Sequence, residues 1–318
     1  TSDMIGPSDD LPLTLGTDVP DTNNAEMKSY GWELELSWRD KIGDFSYGVR
    51  ANVSDAQQVV TKYNNFTNSI SNWYVGRKVG EIWGYETIGI AQSEAEMQAH
   101  LATTKQTSLG SNFGAGDIMY RDIDGDGEVS TGEGTLADSG DYQIIGNSTS
   151  RYRFGLTLDC KYKWFDLSMY WQGVGKRDYA AGTQFFYGVW TNFQQSMCFE
   201  EHMDFWRDDA HALGANYDAY YAAPTFDSYA QNQKTQTRYL QNAAYVRLKN
   251  IQVGYSLSEA NLEKIGISSL RFYFSADNLL TFTPMASMYD PEAIYGSGGQ
   301  GKIYPLSRTL SLGVNINF

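Results

Sequence analysis

The sequence predicts an all-β chain: about seven strands, the C-terminal portion of a large antiparallel transmembrane β-barrel with long extracellular loops. Two observations carry this expectation. Seven segments alternate apolar and polar residues with period two, and the connections between them alternate between short and long. Short turns on one side and long loops on the other are the wiring of an outer-membrane barrel. Compact soluble domains rarely hold structureless connections beyond roughly 15 residues.

Near 31–40, Trp32, Leu34, Leu36 and Trp38 alternate with Glu33, Glu35 and Ser37. Near 45–57, Phe45, Tyr47, Val49, Ala51 and Val53 oppose Ser46, Gly48, Arg50, Asn52 and Ser54. The segment 151–162 sets Tyr152, Phe154, Leu156, Leu158, Cys160 and Tyr162 against Arg153, Gly155, Thr157, Asp159 and Lys161. In 165–176 the apolar set is Phe165, Leu167, Met169 and Trp171. The pattern of 243–257 changes phase near Asn250, where Val246 and Leu248 hand over to Ile251, Val253 and Tyr255. A slip of one residue turns every side chain to the other face, so a bulge is expected there. Strands near 270–282 and 307–318 complete the set, the last placing Leu310, Leu312, Val314, Ile316 and Phe318 on one face. Lengths of this order suit a tilted strand crossing a bilayer. The charged face, with Glu33, Glu35, Arg50, Arg153, Asp159 and Lys161, is expected to line a lumen and the apolar face to meet lipid. A soluble sandwich also alternates; the charge on the second face argues against it.

Residues 41–44 and 163–164 read as tight turns and 258–268 as a modest one holding a helical turn, whereas 58–150, 177–242 and 283–306 read as long outer loops. With seven antiparallel strands, the first runs parallel to the last and cannot pair with it. The expectation is therefore a C-terminal barrel segment, residues 1–318, of something larger, with the first thirty residues a loop needing an upstream strand.

A net charge of -14 and a pI near 4.6 argue against a nucleic-acid partner, which requires a concentrated basic face. Cys160 is expected to face lipid and Cys198 to lie in an outer loop, so they are not paired. His100, His202 and His211 are too scattered for a zinc site, and no nucleophile–base pairing suggests an enzyme. No signal peptide and no apolar run of 18 residues is read, which excludes transmembrane helices and leaves a barrel open.

The segment 122–133, "DIDGDGEVSTGE", matches the twelve-residue EF-hand calcium loop. Its expected oxygen ligands are Asp122, Asp124, Asp126, the Glu128 carbonyl, Ser130 and Glu133, with Gly127 at the turn and Val129 at the apolar eighth position. The flanks are Gly-rich and strand-like, so the expected role is a structural Ca2+ that stiffens a long loop; the alternative is an acidic turn holding no metal. "SEAEMQAHLA" (93–102) reads as a short helix with Ser93 and Glu96 as a capping box. The aromatics of 177–242 read first as anchors for that loop and only second as cargo or lid contacts. "GSGGQGK" (296–302) imitates a phosphate loop but lacks Ser/Thr after Lys302 and is read as a flexible connection.

The stretches "NNAEMKSYGWELELSWRD", "GDIMYRDIDGDG", "IIGNSTSRYRFGLTL", "FDLSMYWQGVGKRDY", "NAAYVRLKNIQVGYSLS", "LRFYFSADNLLTF" and the terminal "TLSLGVNINF" occur in this order. Together they resemble the C-terminal third of the SusC/RagA family of TonB-dependent outer-membrane transporters. The resemblance implies a barrel of about 22 strands with a plugged lumen. It implies import of large nutrients, oligosaccharide first and peptide in some members, beneath a SusD-like surface lipoprotein acting as lid. Energy would arrive from TonB through a plug; neither plug nor signal sequence is read in these residues. Two other function classes remain open at this point: a passive adhesive or structural outer-membrane barrel, and a soluble calcium-dependent glycan-binding β-protein.

Overall fold

The structure, a computed structural model, describes residues 1–6, 22–190, 196, 198–226, 229–257, 262, 266–296 and 302–318. In chain order the first elements are β1 (Met4–Gly6), β2 (Thr22–Ile42), β3 (Phe45–Lys62), β4 (Glu81–Gly84), β5 (Thr87–Ile90) and α1 (Glu94–Thr103). They are followed by β6 (Ile118–Tyr120), β7 (Gln143–Asn147), β8 (Arg151–Tyr162), β9 (Phe165–Lys176), β10 (Asp178–Ala180) and α2 (Gln184–Tyr187). A 3-10 turn at Glu200–Met203 precedes α3 (Tyr229–Asn232), β11 (Leu240–Asn242), β12 (Tyr245–Ser256), β13 (Ser269–Phe282) and β14 (Thr309–Asn317). The turn expected in 258–268 and the loop 296–302 fall largely outside the described residues.

Eight strands form one antiparallel sheet in the order β1-β2-β3-β8-β9-β12-β13-β14. Directly opposed residues of neighbouring strands share a face, so the register can be read as rows. One row runs Trp38–Val49–Leu158–Met169–Ile251–Ala276–Leu310. The adjacent row runs Arg39–Gly48–Asp159–Ser168–Gln252–Ser275–Ser311. Apolar and polar rows thus belong to opposite faces of the same wall. Leu36, Trp38, Phe165, Leu310 and Leu312 stand open on the apolar face, an area of hydrocarbon that requires lipid against it. Cys160 lies on that face between Tyr47 and Leu167; it and Cys198 are both free thiols. None of the described helices is long and apolar enough to cross a membrane, which says nothing of strands.

Two strands are longer than the alternation indicates. β2 has 21 residues and β3 has 18, where about ten and thirteen are expected from the pattern. At about 3.4 Å per residue these reach well beyond a hydrocarbon layer of about 30 Å. Their upper ends ("TNNAEMKSY" in β2) stand where no lipid enforces alternation, which is why the sequence pattern misses them. Residues 22–30, expected in a loop, are therefore strand, and β1 pairs with Thr22–Ala25.

The phase change near Asn250 is a bulge: the register of β12 against β9 shifts between Leu248 and Asn250, with Lys249 the extra residue. Val246 and Leu248 thereby stay on the apolar face with Ile251 and Val253. On the polar face Gly254 lets Arg271 of β13 lie across β12 and bind Asp166 of β9, with Nη2 2.5 Å and Nε 3.0 Å from its carboxylate oxygens. A Cβ at Gly254 would collide with that guanidinium.

The hydrophobic core lies in the loops rather than in the sheet. Met97, Ile118, Tyr120, Val129, Phe186, Tyr239, Tyr289 and Met285 bury together, so the three long connections fold into one cap above the wall. α1 is held at its start as expected: Ser93 Oγ accepts the Glu96 amide at 3.2 Å. The Glu96 carboxylate accepts the Gln92 amide, one residue earlier than a capping box would have it.

Face assignment has a direct consequence for stability. Val253→Arg, on the apolar row, is expected to cost about 2–4 kcal/mol in the bilayer, while Gln252→Arg, on the polar row, costs little. Urea unfolding of the full-length protein in lipid vesicles reads the difference; equal effects would reverse the assignment.

Candidate functional site

The cap is fastened by polar groups as much as by rings. Asp117 accepts Asn232 Nδ2 at 2.6 Å, Gln231 Nε2 at 3.0 Å and the Gly114 amide at 2.8 Å. Asn232 returns its oxygen to the Ile118 amide, and the Tyr120 hydroxyl donates to the Gln231 carbonyl. Burial raises the Asp117 pKa, against the hydrogen bonds from Asn232, Gly114 and Gln231. These bonds join the connection after β3 to the connection after β9. The third connection is fixed by ions: Arg247 of β12 meets Asp290 at 2.7 Å and Glu292 at 3.1 Å, and the bulged Lys249 meets Glu292 at 3.0 Å. Around Phe186, the rings of Tyr187, Tyr220, Tyr221, Tyr239 and Tyr289 lie at centroid distances of 5.0–6.4 Å. The aromatics of this loop serve as its anchors.

Against this cap sits the acidic loop. Asp122 accepts the amides of Gly125 (2.7 Å) and Gly127 (2.9 Å), and Asp124 accepts that of Asp126 (3.1 Å). Asp126 accepts the Glu128 amide, and Ser130 Oγ accepts the Gly132 amide. Gly125 and Gly127 hold φ of 79° and 86°, a left-handed backbone that glycine adopts without penalty. Val129 is fully buried, and the segment is tied to residue 105 by Lys105 N–H to Gly127 O and Val129 N–H to Lys105 O.

The carboxylates that converge are not the expected set. Asp122, Asp124 and Asp141 bring one oxygen each within 4.8 Å of one another. Asp126 and Glu133 are outside this group: both are exposed, and Glu133 gives its amide to Asp138 while Glu128 accepts the Thr107 hydroxyl. The reason is geometric. In an EF-hand a helix carries the twelfth residue back to the ion, whereas here the chain after Ser130 turns away through Gly132 and Gly134, both at positive φ. It returns only at Asp141, fully buried, which accepts the amides of Ile123 (2.5 Å) and Ser130 (2.9 Å). Asp141 lies nineteen positions after Asp122, beyond any twelve-residue pattern, and no sequence signal marks it. The Asp126 amide favours the Asp124 anion. Desolvation and the charges of Asp141, Asp126 and Asp122 outweigh it and raise the Asp124 pKa overall.

The three histidines occupy separate places. His100 Nε2 is 3.0 Å from Gln106 Oε1, and His211 Nδ1 accepts the Leu213 amide. Buried His202 accepts the Phe199 amide on Nδ1 and faces the Phe186 carbonyl with Nε2, each at 3.0 Å. Its Nδ1 is therefore bare and Nε2 carries the proton, a neutral ring; burial lowers its pKa accordingly.

Two outcomes follow for the full-length protein. Asp141→Ala orphans buried amides at a cost of about 2 kcal/mol or more and opens 121–142 to limited proteolysis. Glu133→Gln stays within about 0.5 kcal/mol. For His202 the folded pKa is below the unfolded one, so its stabilisation is complete above about pH 6.5 and fades as pH falls through the folded value. The protection factor of the Phe199 amide, its exchange rate taken against the intrinsic rate at each pH, is expected to fall on acidification and to lose that dependence in His202→Gln.

No protein-family model matches the sequence. The chain is 27% identical over 344 residues to TonB-dependent receptor P3 of Formosa agariphila, covering 100% of this chain and 31% of that one. It is 24% identical over 333 residues to TonB-dependent receptor P26 of the same organism, covering 97% and 31%. The chain thus spans about a third of the length of the curated relatives it matches. Among solved structures, the RagAB peptide transporter aligns with TM-score 0.65 and 22% identity, over 97% of this chain and 31% of that one. The RagAB peptide importer in its open-open state aligns with TM-score 0.66 and 20% identity, over 100% and 31%. The two-faced wall, the folded cap and these likenesses agree: over its whole length this chain resembles the C-terminal part of a SusC/RagA-type TonB-dependent transporter, a β-barrel of the outer membrane.

Proposed function

We propose that the chain supplies wall and outer loops to a TonB-dependent importer of large nutrients, working with a SusD-like lipoprotein lid. The observation that carries this reading is the folded cap. Three long connections are welded into one unit above a polar wall, and the match to RagAB extends over wall and cap alike. A passive adhesive barrel would need no such unit held to its inner wall by Arg247 and Lys249. The remaining barrel and plug, with TonB acting through them, complete the proposed assembly. The sequence resemblance puts oligosaccharide first as cargo; the RagAB likeness gives specific support to peptide. Uptake of labelled oligosaccharides and oligopeptides by cells carrying the transporter and its lid tests this. The expected outcome is uptake of one class that stops when TonB is deleted; TonB-independent passage would favour a passive barrel.

The proposal includes a structural Ca2+ in the cap, held by Asp122, Asp124 and Asp141. The donors are hard oxygens, as calcium requires, and Ser130 Oγ and the Glu128 carbonyl belong to the same turn. The repulsion that raises the Asp124 pKa is what a divalent cation would relieve. Replacing EDTA with Ca2+ is expected to protect 121–142 from proteolysis in the full-length transporter, with half-saturation around 10⁻⁴–10⁻³ M, as for extracellular modules. The combined Asp122→Ala and Asp124→Ala substitutions should abolish protection, and Glu133→Gln should keep it. Identical cleavage with Ca2+ and EDTA would remove the ion.

A further inference from the structure

At the mouth of the wall, where the tops of β2, β3 and β8 meet the cap, lies an open cavity of about 1010 Å³. Arg153 and Arg177 line it together with Tyr295, Glu33 and the hydroxyl-bearing run Ser148–Thr149–Ser150. Arg153 belongs to the polar row Glu33–Ser54–Arg153, so it faces the lumen. It is exposed, and no hydrogen bond or ion pair engages it among the described residues.

Arg177 is the unusual member. It is 5% exposed, yet no carboxylate pairs with it among the described residues. Its Nε donates to the Ser148 carbonyl at 3.1 Å and one Nη1 hydrogen to the Pro291 carbonyl at 3.4 Å. The guanidinium carbon lies over the Tyr295 ring, 4.1 Å from its centroid. These contacts hold the guanidinium in place without neutralising it, and its Nη2 donors have no partner among the described residues. Burial depresses its pKa, and the positive charge of Arg153 adds to the depression. A buried cation is normally paired, because an unpaired one is costly. Arg247, the other buried arginine among the described residues, keeps the rule with Asp290 and Glu292, and the half-buried Arg151 and Arg271 pair with Asp55 and Asp166, whereas the half-buried Arg77, Arg207 and Arg238 bind backbone carbonyls as Arg177 does. Glu33, the free carboxylate of the cavity, is two strands from Arg153, roughly 10 Å by strand spacing.

We infer that Arg153 and Arg177 form a docking point for a carboxylate of the cargo, met at the lumenal mouth beneath the cap. The inference rests on the importer reading. A guanidinium fork suits a carboxylate through paired N–H···O bonds, and the fixed Arg177 supplies it at low entropic cost while the exposed Arg153 adds a second positive charge from the wall. The open Tyr295 ring and the three hydroxyl side chains offer a stacking face and hydrogen bonds to the rest of an oligomer. A peptide would present its C-terminus and an acidic oligosaccharide its uronate groups; the chemistry met by the site is the same.

Calorimetry on the full-length transporter with its lid decides the matter, using four probes: a hexapeptide free acid, the same peptide amidated, hexagalacturonate and maltohexaose. The expected result is binding of one carboxylate-bearing probe that becomes roughly ten- to hundredfold weaker in Arg153→Gln. Its neutral counterpart should be insensitive to that substitution. The free-acid peptide responding identifies a peptide terminus, and hexagalacturonate responding identifies a uronate. Arg177→Lys, which keeps charge and loses the fork, should fall between wild type and Arg153→Gln. Equal binding of charged and neutral probes, no binding of either carboxylated probe, or an Arg153→Gln variant changed only in melting temperature would overturn the site. The last result would mean that a carboxylate of the transporter itself occupies it. TonB-dependent uptake of the neutral probe in that event would leave the importer reading standing.

Discussion

Within hydrocarbon every backbone N–H and C=O must find its partner inside the protein, and the rest of this structure depends on that requirement. Continuous ladders meet it for every strand between β2 and β14, and along the membrane-spanning length only the outer edges of those two strands are open among the described residues. Once the ladders are in place the side chains have no freedom of face: odd and even positions are sent to lipid or to lumen. Rows of leucine, valine and aromatic rings backed by rows of arginine, serine and asparagine are the result. Where the chain must change phase, the extra residue is absorbed at Lys249 rather than by sending Ile251 and Val253 to the wrong solvent.

A sheet with lipid on one side and a lumen on the other has no hydrophobic core of its own, so one is built in the cap. Tyrosine suits that task because a ring can be buried while its hydroxyl finds a partner. Tyr239 accepts the Ala222 amide, Tyr120 donates to the Gln231 carbonyl, and Tyr220 accepts Gln241. The 23 tyrosines of the sequence are thus as much a property of the cap as of membrane interfaces. The buried amides Gln106, Gln231, Asn232 and Gln236 do for the loops what ladders do for the wall, satisfying backbone groups that irregular chain leaves open.

What could be read in the sequence follows from where a single solvent boundary enforces a pattern. The membrane-spanning strands, their faces and the bulge near Asn250 were legible because lipid punishes every misplaced residue. The upper halves of β2 and β3 were not, since no lipid boundary enforces alternation there, protein packs on parts of both (Asn24, Ala25, Asp55 and Val60 are buried), and "TNNAEMKSY" carries no period. The Asp122–Ser130 turn was legible because its internal hydrogen bonds fix residue types at fixed spacings. Asp141 was not, because it reaches the turn through tertiary return of the chain. The same holds for Arg177, whose burial without a carboxylate partner depends on Ser148 arriving from the connection after β3 and on Pro291 and Tyr295 arriving from the connection after β13.

The polar seam between Asp117 and Asn232 joins residues 115 positions apart, with all of β8 and β9 between them. Closing so long a stretch is entropically unfavourable unless the intervening hairpin has already drawn its ends together. The seam forms readily only after β8 and β9 are laid side by side in the wall. The wall hairpin therefore comes before the seam, and until it has formed the cap segments stand in water without their partners. An outer loop with many tyrosines, amides and acids and little continuous greasiness is well suited to wait in water until its partners arrive.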